Sequence, residues 1–94
     1  MEAIQQVEKI FSAEAAEAFG RAAQKAARLL ELKLKPALTP AEVEELYNLR
    51  AATLAQKRCR GGGPNYVQEE QGGPVLYRHS DIEQYFAKNV RRSS

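Results

Sequence analysis

Prolines and glycines divide this chain into short segments, and that division limits the fold more than any other feature. Pro36 and Pro40 follow a first Ala-rich segment, Gly61-Gly62-Gly63-Pro64 interrupts the second half, and Gly72-Gly73-Pro74 interrupts it again. The residue before a proline is pushed out of helical geometry, and glycine accepts the backbone conformations at which helices end. The chain can therefore hold a helical first segment, as one helix or as two if Ser12 and Gly20 interrupt it, followed by short elements around a small core.

Length and composition indicate a small domain without a metal or cofactor. The chain has 94 residues, 44% of them hydrophobic and none of them Trp, so we expect one small, largely aliphatic core. Cys59 is the only cysteine, which excludes an intrachain disulfide, and no paired Cys/His pattern predicts a zinc site. Glu2 and Glu8 interrupt any secretory leader, and no apolar run approaches the roughly 18 residues of a membrane span. We expect a soluble, cytoplasmic protein.

The charge is distributed unevenly along the chain. Residues 1–48 hold six Lys/Arg and eight Asp/Glu, a net −2, whereas residues 49–94 hold eight and four, a net +4. A basic C-terminal half is typical of a surface that faces a polyanion, and an acidic N-terminal half predicts a different partner there. The positive charge of the C-terminal half is small, so we expect electrostatic attraction to give one copy only moderate affinity for DNA.

Residues 1–35 form a predicted N-terminal helical extension. Apolar residues recur at steps of three and four, which indicates one helical stripe: Ile4, Val7, Phe11, Ala15, Ala18, Ala22, Ala26 and Leu29. Two interpretations remain open for this stripe. It could pack on the rest of the same chain, or it could mediate self-association or contact with another partner.

Two short helices should follow, joined by a tight turn. Thr39-Pro40-Ala41-Glu42 is a capping box with proline at the first helical position, and Val43 begins the apolar face of that helix. Asn48 favours the turn. A second helix is predicted over Ala51 to Arg60 with Leu54 in the core, and the glycines after Arg60 end it.

A β-hairpin and a last helix complete the predicted domain. Residues 66–68 and 75–78 are predicted as two strands joined through Gly72-Gly73, and Ser80 is predicted to cap a final helix that turns Ile82, Tyr85 and Phe86 inward. The predicted fold class is therefore mainly α with a small β-hairpin wing. In this organisation the extension 1–35 precedes a winged helix-turn-helix domain at 36–90, and 91–94 form a basic tail.

The second half of the chain resembles the excisionase family, small winged helix-turn-helix proteins related to the MerR-type DNA-binding domain. The order and spacing of the following residues carry the resemblance: Thr39, Glu42, Val43, Leu46, Leu49, Thr53, Leu54, Arg58, Gly63 to Val67, Val75, Tyr77, Arg78, Ser80 to Ile82, Tyr85 and Phe86. The resemblance implies a non-catalytic protein, encoded by a bacterium, phage or mobile element. Such a protein would bind and bend attachment-site DNA in several copies and direct an integrase towards excision.

The chain departs from that family in three ways. Arg50 stands where the family usually has Ser or Thr to cap the recognition helix, and Lys57 stands where an aromatic residue is usual. Glu69 and Glu70 lie in the predicted wing, where cations are more common. Two alternatives beside excision remain open. One is a transcription regulator of the same fold, and the other is a phage packaging or protein-adaptor subunit that does not read DNA, which the acidic wing, the low net charge and the missing aromatic residue favour.

The second short helix supplies most of the predicted DNA contacts. Seven residues of its start and basic face are predicted to bind DNA: Arg50, Ala51, Ala52, Thr53, Gln56, Lys57 and Arg60. Arg50 suits guanine and Gln56 suits adenine, since each side chain can make two hydrogen bonds to that base. Lys57 and Arg60 suit phosphates, which position a protein without specifying sequence. In the predicted wing, Gln71 and Arg78 are the candidate contacts, although Arg78 could instead pair with Asp81 or Glu83.

We predict no enzyme activity. His79 is the single histidine and precedes a helix start, where a structural role is the more common one. The Gly61–Pro64 sequence lacks the lysine and the strand-to-helix context of a phosphate-binding loop.

Overall fold

The computed structural model describes residues 13–91. In that range the chain forms four helices: α1 (Ala13–Leu34), α2 (Pro40–Tyr47), α3 (Ala51–Arg60) and α4 (His79–Lys88). Contacts divide the chain into two compact units, Met1–Leu30 and Glu31–Ser94. Ile4, Val7 and Phe11 of the predicted apolar stripe lie outside the described residues, as do residues 92–94 of the predicted tail.

The core of the second unit takes one buried residue from each helix and two from the segments that connect the helices. Its buried members are Leu32, Leu38, Val43, Leu54, Tyr77 and Ile82. The sequence predictions for Val43, Leu54 and Ile82 are confirmed. The inward position predicted for Phe86 is wrong, because its side chain is 42% exposed and meets the core only at its edge, through the ring of Tyr47.

The predicted pair of short helices is confirmed, including its local signals. The Thr39 N–H donates to Glu42 Oε1 over 3.0 Å, and the Glu42 N–H donates to Thr39 Oγ1 over 3.2 Å, which closes the capping box of α2. Asn48 ends α2 in the left-handed conformation, with a φ of 61°. This turn brings α2 against α3, so Val43 and Leu54 meet in one core.

The predicted β-hairpin wing is wrong, and with it the winged fold class. Residues 13–91 contain no β-strand, and the only pairing inside the α3–α4 loop is one antiparallel bridge between Val67 and Leu76. In an antiparallel ladder the next hydrogen-bonded pairs would lie two residues to either side. On one side the partner would be Pro74, which has no N–H. On the other it would be Arg78, whose N–H donates to Asp81 Oδ2 instead. The ladder therefore stops after one pair.

Tyr77 also pairs outside the predicted hairpin. Its N–H and C=O each bond with Leu38, over 2.8 Å in both directions, so the chain before α4 is tied to the chain before α2. The helix α4 begins at His79, two residues earlier than a cap at Ser80 would place it. The N-cap residue is Arg78, and the carboxylate of Asp81, at the third helical position, accepts the Arg78 N–H; Ser80 does not occupy the cap position.

No helix within the described residues is long and apolar enough to cross a membrane.

Candidate nucleic-acid interface

The helix α3 has a buried side and an exposed side, and most of the predicted DNA contacts lie on the exposed one. Leu54 is only 2% exposed and points into the core, while Ala51 and Lys57 are half-buried beside it. The exposed residues recur at helical spacing on the opposite side: Ala52, Thr53, Gln56, Cys59 and Arg60. We call this set the α3 face. Arg50 is exposed immediately before the helix.

A carboxylate from α2 occupies the start of α3. The N-cap position holds Arg50, with extended backbone angles of −61° and 130°, and the first helical N–H, that of Ala51, donates to Glu44 Oε1 over 2.8 Å. Glu44 thus accepts a hydrogen bond from a free N–H at the helix start, which is the role that a Ser or Thr at position 50 would have. An acid here also complements the positive end of the helix dipole. Sequence analysis missed this role, because Glu44 lies in another helix, seven residues away.

The cations of α3 have different surroundings. Arg58 donates from Nη1 to the Tyr77 hydroxyl over 2.6 Å, and its guanidinium carbon lies 6.0 Å from the centre of the Tyr77 ring. Arg58 therefore packs along the core through Tyr77. The Lys57 stem lies against the backbone of Gly63, where an added Cβ would come within 2.7 Å of Lys57 Cβ. Arg50 and Arg60 remain exposed, and α3 itself contains no acidic residue.

The remaining predicted contacts lie in and after the α3–α4 loop. Gln71 is exposed near the loop tip, where the Gly73 N–H donates to the Glu70 carbonyl over 2.8 Å, and both Glu69 and Glu70 are exposed beside it. These acids bring negative charge close to Gln71. A phosphate there would meet repulsion from both carboxylates.

Arg78 forms an ion pair within the chain. Its Nε donates to Asp81 Oδ2 over 3.0 Å and its Nη2 to Asp81 Oδ1 over 2.9 Å. The Asp81 side chain is 1% exposed and that of Arg78 is 59% exposed. The hydrogen bonds from Arg78 hold the pKa of the Asp81 carboxyl below its usual range. Of the two partners left open by sequence analysis, Arg78 takes Asp81. A DNA contact by Arg78 would have to share or break this pair.

His79 connects three segments of the second unit. Its Nε2 lies 3.0 Å from the Lys35 carbonyl, which only accepts hydrogen bonds, so with the imidazole neutral Nε2 is the donor. Its Nδ1 then accepts from the Tyr47 hydroxyl over 2.7 Å. Burial raises the pKa of Tyr47, and the charge of Glu83 adds to the rise. These bonds give His79 a structural role.

Within residues 13–91 no three His, Cys, Asp or Glu side chains form a group that could hold a metal ion. Comparison with known protein families and with curated proteins finds no match for the chain. The α3 face is thus the arrangement on which a functional proposal can be built.

Proposed function

We propose that the protein binds double-stranded DNA by placing the α3 face in the major groove. The observation that supports the proposal most is the sidedness of α3. Thr53, Gln56 and Arg60 point outward together, opposite the buried Leu54. A helix that presents amide, hydroxyl and guanidinium groups from one face suits the width and the hydrogen-bonding pattern of the major groove.

In this proposal the residues divide into base contacts and phosphate contacts. Gln56 pairs with adenine, Arg50 with guanine, and Ala52 touches a thymine methyl. Lys57 and Arg60 neutralise phosphates on either side of the groove. Half-buried Ala51 supports the helix start and does not reach a base.

Resemblance to the excisionase family supports an accessory role for this binding. Several copies would bind neighbouring sites in attachment-site DNA, bend it, and assist an integrase in excision. Multiple copies would also compensate for the small positive charge of one chain, a net +2. Footprinting distinguishes the roles, because repeated sites at helical-turn spacing favour excision and one inverted repeat at a promoter favours transcription regulation.

One structural observation favours a second function, that of a protein adaptor. Glu44 places a carboxylate at the start of α3, and Glu69 and Glu70 expose two more in the loop after it. Carboxylates near phosphates oppose DNA binding. An adaptor of this kind, such as a packaging subunit, would use the α3 face to contact another protein.

Selection of bound duplexes from a random DNA library tests the proposal, followed by affinity measurements across a salt series. We expect an enriched motif and an affinity that falls as salt rises. Gln56→Ala should cost about 1–3 kcal/mol on the selected site and relax specificity at one base pair. Arg60→Ala should weaken all sequences equally and lower the salt slope by about one.

Gln84→Ala is the matched control, since Gln84 is also an exposed helical glutamine but lies in α4. It should leave affinity unchanged. No enriched motif, together with micromolar or weaker binding at low salt, would refute DNA recognition and leave the adaptor function as the better proposal.

A further inference from the structure

A basic cleft of about 390 Å³ lies where the end of α3 meets the loop that follows it. Its lining combines two cations of α3, Lys57 and Arg58, with the loop from Gly61 to Tyr66. No acidic side chain is among the described residues that line it. We call it the glycine cleft. It is distinct from the exposed α3 face, because Lys57 and Arg58 are half-buried beside the core.

The loop that lines the glycine cleft has a well-determined backbone. Gly61 and Gly62 have φ values of 91° and 88°, a conformation that L side chains rarely adopt. A Cβ added at Gly63 would come within 2.7 Å of Lys57 Cβ, and Pro64 is buried. The cleft is therefore formed before any ligand binds, which lowers the entropic cost of binding.

The glycine cleft contains hydrogen-bond donors that the fold leaves unused. The Arg58 bond to the Tyr77 hydroxyl uses one of the five N–H groups of the guanidinium and holds that group in place. The Gly62 N–H and the Asn65 side-chain amide make no hydrogen bond with any residue of the range 13–91. Lys57 forms no ion pair within the same range. Unused donors beside two cations are typical of a site for an anion.

The charges around the glycine cleft also favour an anion. The last turn of a helix carries roughly half a negative elementary charge, which opposes an anion. Three cations in the last turn of α3 outweigh it, namely Lys57, Arg58 and Arg60. Asp81 borders the same loop from the side of α4, but Arg78 balances its charge. The net local charge is therefore positive.

We propose that the glycine cleft binds a phosphate group. A guanidinium and backbone N–H groups match the oxygens of a phosphate, and a lysine adds a point charge. The proposal rests on the proposed DNA binding for the source of this phosphate, which is the DNA backbone that runs beside a helix in the major groove. Lys57 precedes the glycines, whereas the lysine of a phosphate-binding loop follows them, so that sequence pattern does not reveal the site.

This site determines which part of the α3–α4 loop contacts DNA. The base of the loop, from Gly61 to Tyr66, lies against the backbone. The tip exposes Glu69 and Glu70, whose carboxylates repel phosphates, and it stays away from the DNA.

Single methylphosphonate substitutions in the selected duplex test the backbone contact, because each removes the charge of one phosphate. At one position the wild-type protein should lose about tenfold in affinity. Asn65→Asp places a carboxylate in the cleft at an exposed residue, so its affinity should be lower on the unmodified duplex and should not fall further at that position. Lys57→Gln should lower the salt slope by about one.

Gln24→Glu is the matched control for Asn65→Asp. It makes the same change from amide to acid at an exposed residue of α1 that does not line the cleft. It should keep the affinity of the wild-type protein and its sensitivity to the methylphosphonate. Thermal melting followed by circular dichroism checks that all variants are folded.

Titration of the full chain with inorganic phosphate, at constant ionic strength, tests the cleft without DNA. The amide NMR signals of Gly62, Gly63 and Asn65 should shift, and Asn65→Asp should abolish the shifts. Because no DNA is present, this experiment separates failure of the cleft from failure of DNA recognition. Coupling between Asn65 and one duplex position assigns the phosphate to the DNA backbone, and shifts without coupling assign it to a free phosphate compound. Neither response would overturn the proposal, even with an enriched motif for the α3 face.

Discussion

At the scale of single residues, the carboxylate of Asp81 organises the start of α4. It accepts the Arg78 N–H and two bonds from the Arg78 guanidinium, while its own side chain is 1% exposed. A buried carboxylate is tolerated only when it is paired and hydrogen-bonded in this way. The same N–H is the one that an extended hairpin would have required. One residue therefore both starts a helix and ends a ladder.

Asp81 predicts a pH dependence of stability. Its pKa is lowered in the folded state, so its contribution is present above the unfolded pKa of about 3.9 and is lost as pH falls below that value. Asp81→Asn should lower the free energy of unfolding by about 1 kcal/mol at pH 7, below the usual range for charged hydrogen bonds because Arg78 is mostly exposed.

Urea denaturation of both proteins from pH 7 to pH 3 measures this effect. The difference between them should narrow below about pH 4, because Asp81 of the unfolded chain takes up a proton there while the folded carboxyl, with its lowered pKa, stays ionised. Glu83→Gln, at an exposed position of the same helix, is the control. A difference that stays constant across the whole range would contradict the assignment.

At the scale of elements, helices were predictable from sequence and the hairpin was not. The box from Thr39 to Glu42, the left-handed Asn48 and the glycines after Arg60 are local signals, and α2 and α3 begin and end where they indicate. The segments 66–68 and 75–78 have the composition of strands, but strands need partners. Pro74 has no backbone N–H to donate, and Tyr77 forms its backbone hydrogen bonds with Leu38, in a distant part of the chain.

Amide hydrogen exchange should detect this single-bridge loop. Val67 and Leu76 donate to each other over 2.7 and 2.9 Å, so their N–H groups should exchange more slowly than those of Glu69 and Gln71. In a two-stranded hairpin the Arg78 N–H would instead form a hydrogen bond across the strands, so its slow exchange would not depend on Asp81. Loss of Arg78 protection in Asp81→Asn, with Val67 and Leu76 still protected, is the expected result. Retained protection of Arg78 would favour a longer ladder.

At the scale of the whole molecule, the second unit depends on a residue from the end of α1. Leu32 is fully buried with the core residues from α2, α3 and α4, whereas Leu34, two residues later, is 77% exposed. The sequence shows two similar leucines in one helix. Only packing separates them, because their side chains point to different sides of α1.

This difference predicts a matched pair of substitutions. Leu32→Ala should cost about 2–5 kcal/mol of stability, since it leaves a cavity in a small core. Leu34→Ala should change stability by no more than about 0.5 kcal/mol. Chemical denaturation monitored by circular dichroism measures both. Equal effects of the two substitutions would mean that Leu32 does not belong to the core.

Sequence alone determined the features that depend on neighbours along the chain. These are the order and ends of α2 and α3, the buried positions of Val43, Leu54 and Ile82, and the sidedness of α3 that carries the DNA-binding proposal. Tertiary structure decided which distant groups meet: Glu44 at the start of α3, Tyr77 beside Leu38, Arg58 on Tyr77, and His79 between Tyr47 and Lys35. Capping and periodicity act within a few residues, so sequence reveals them. Pairing across the chain depends on which donors and acceptors remain once every element has packed.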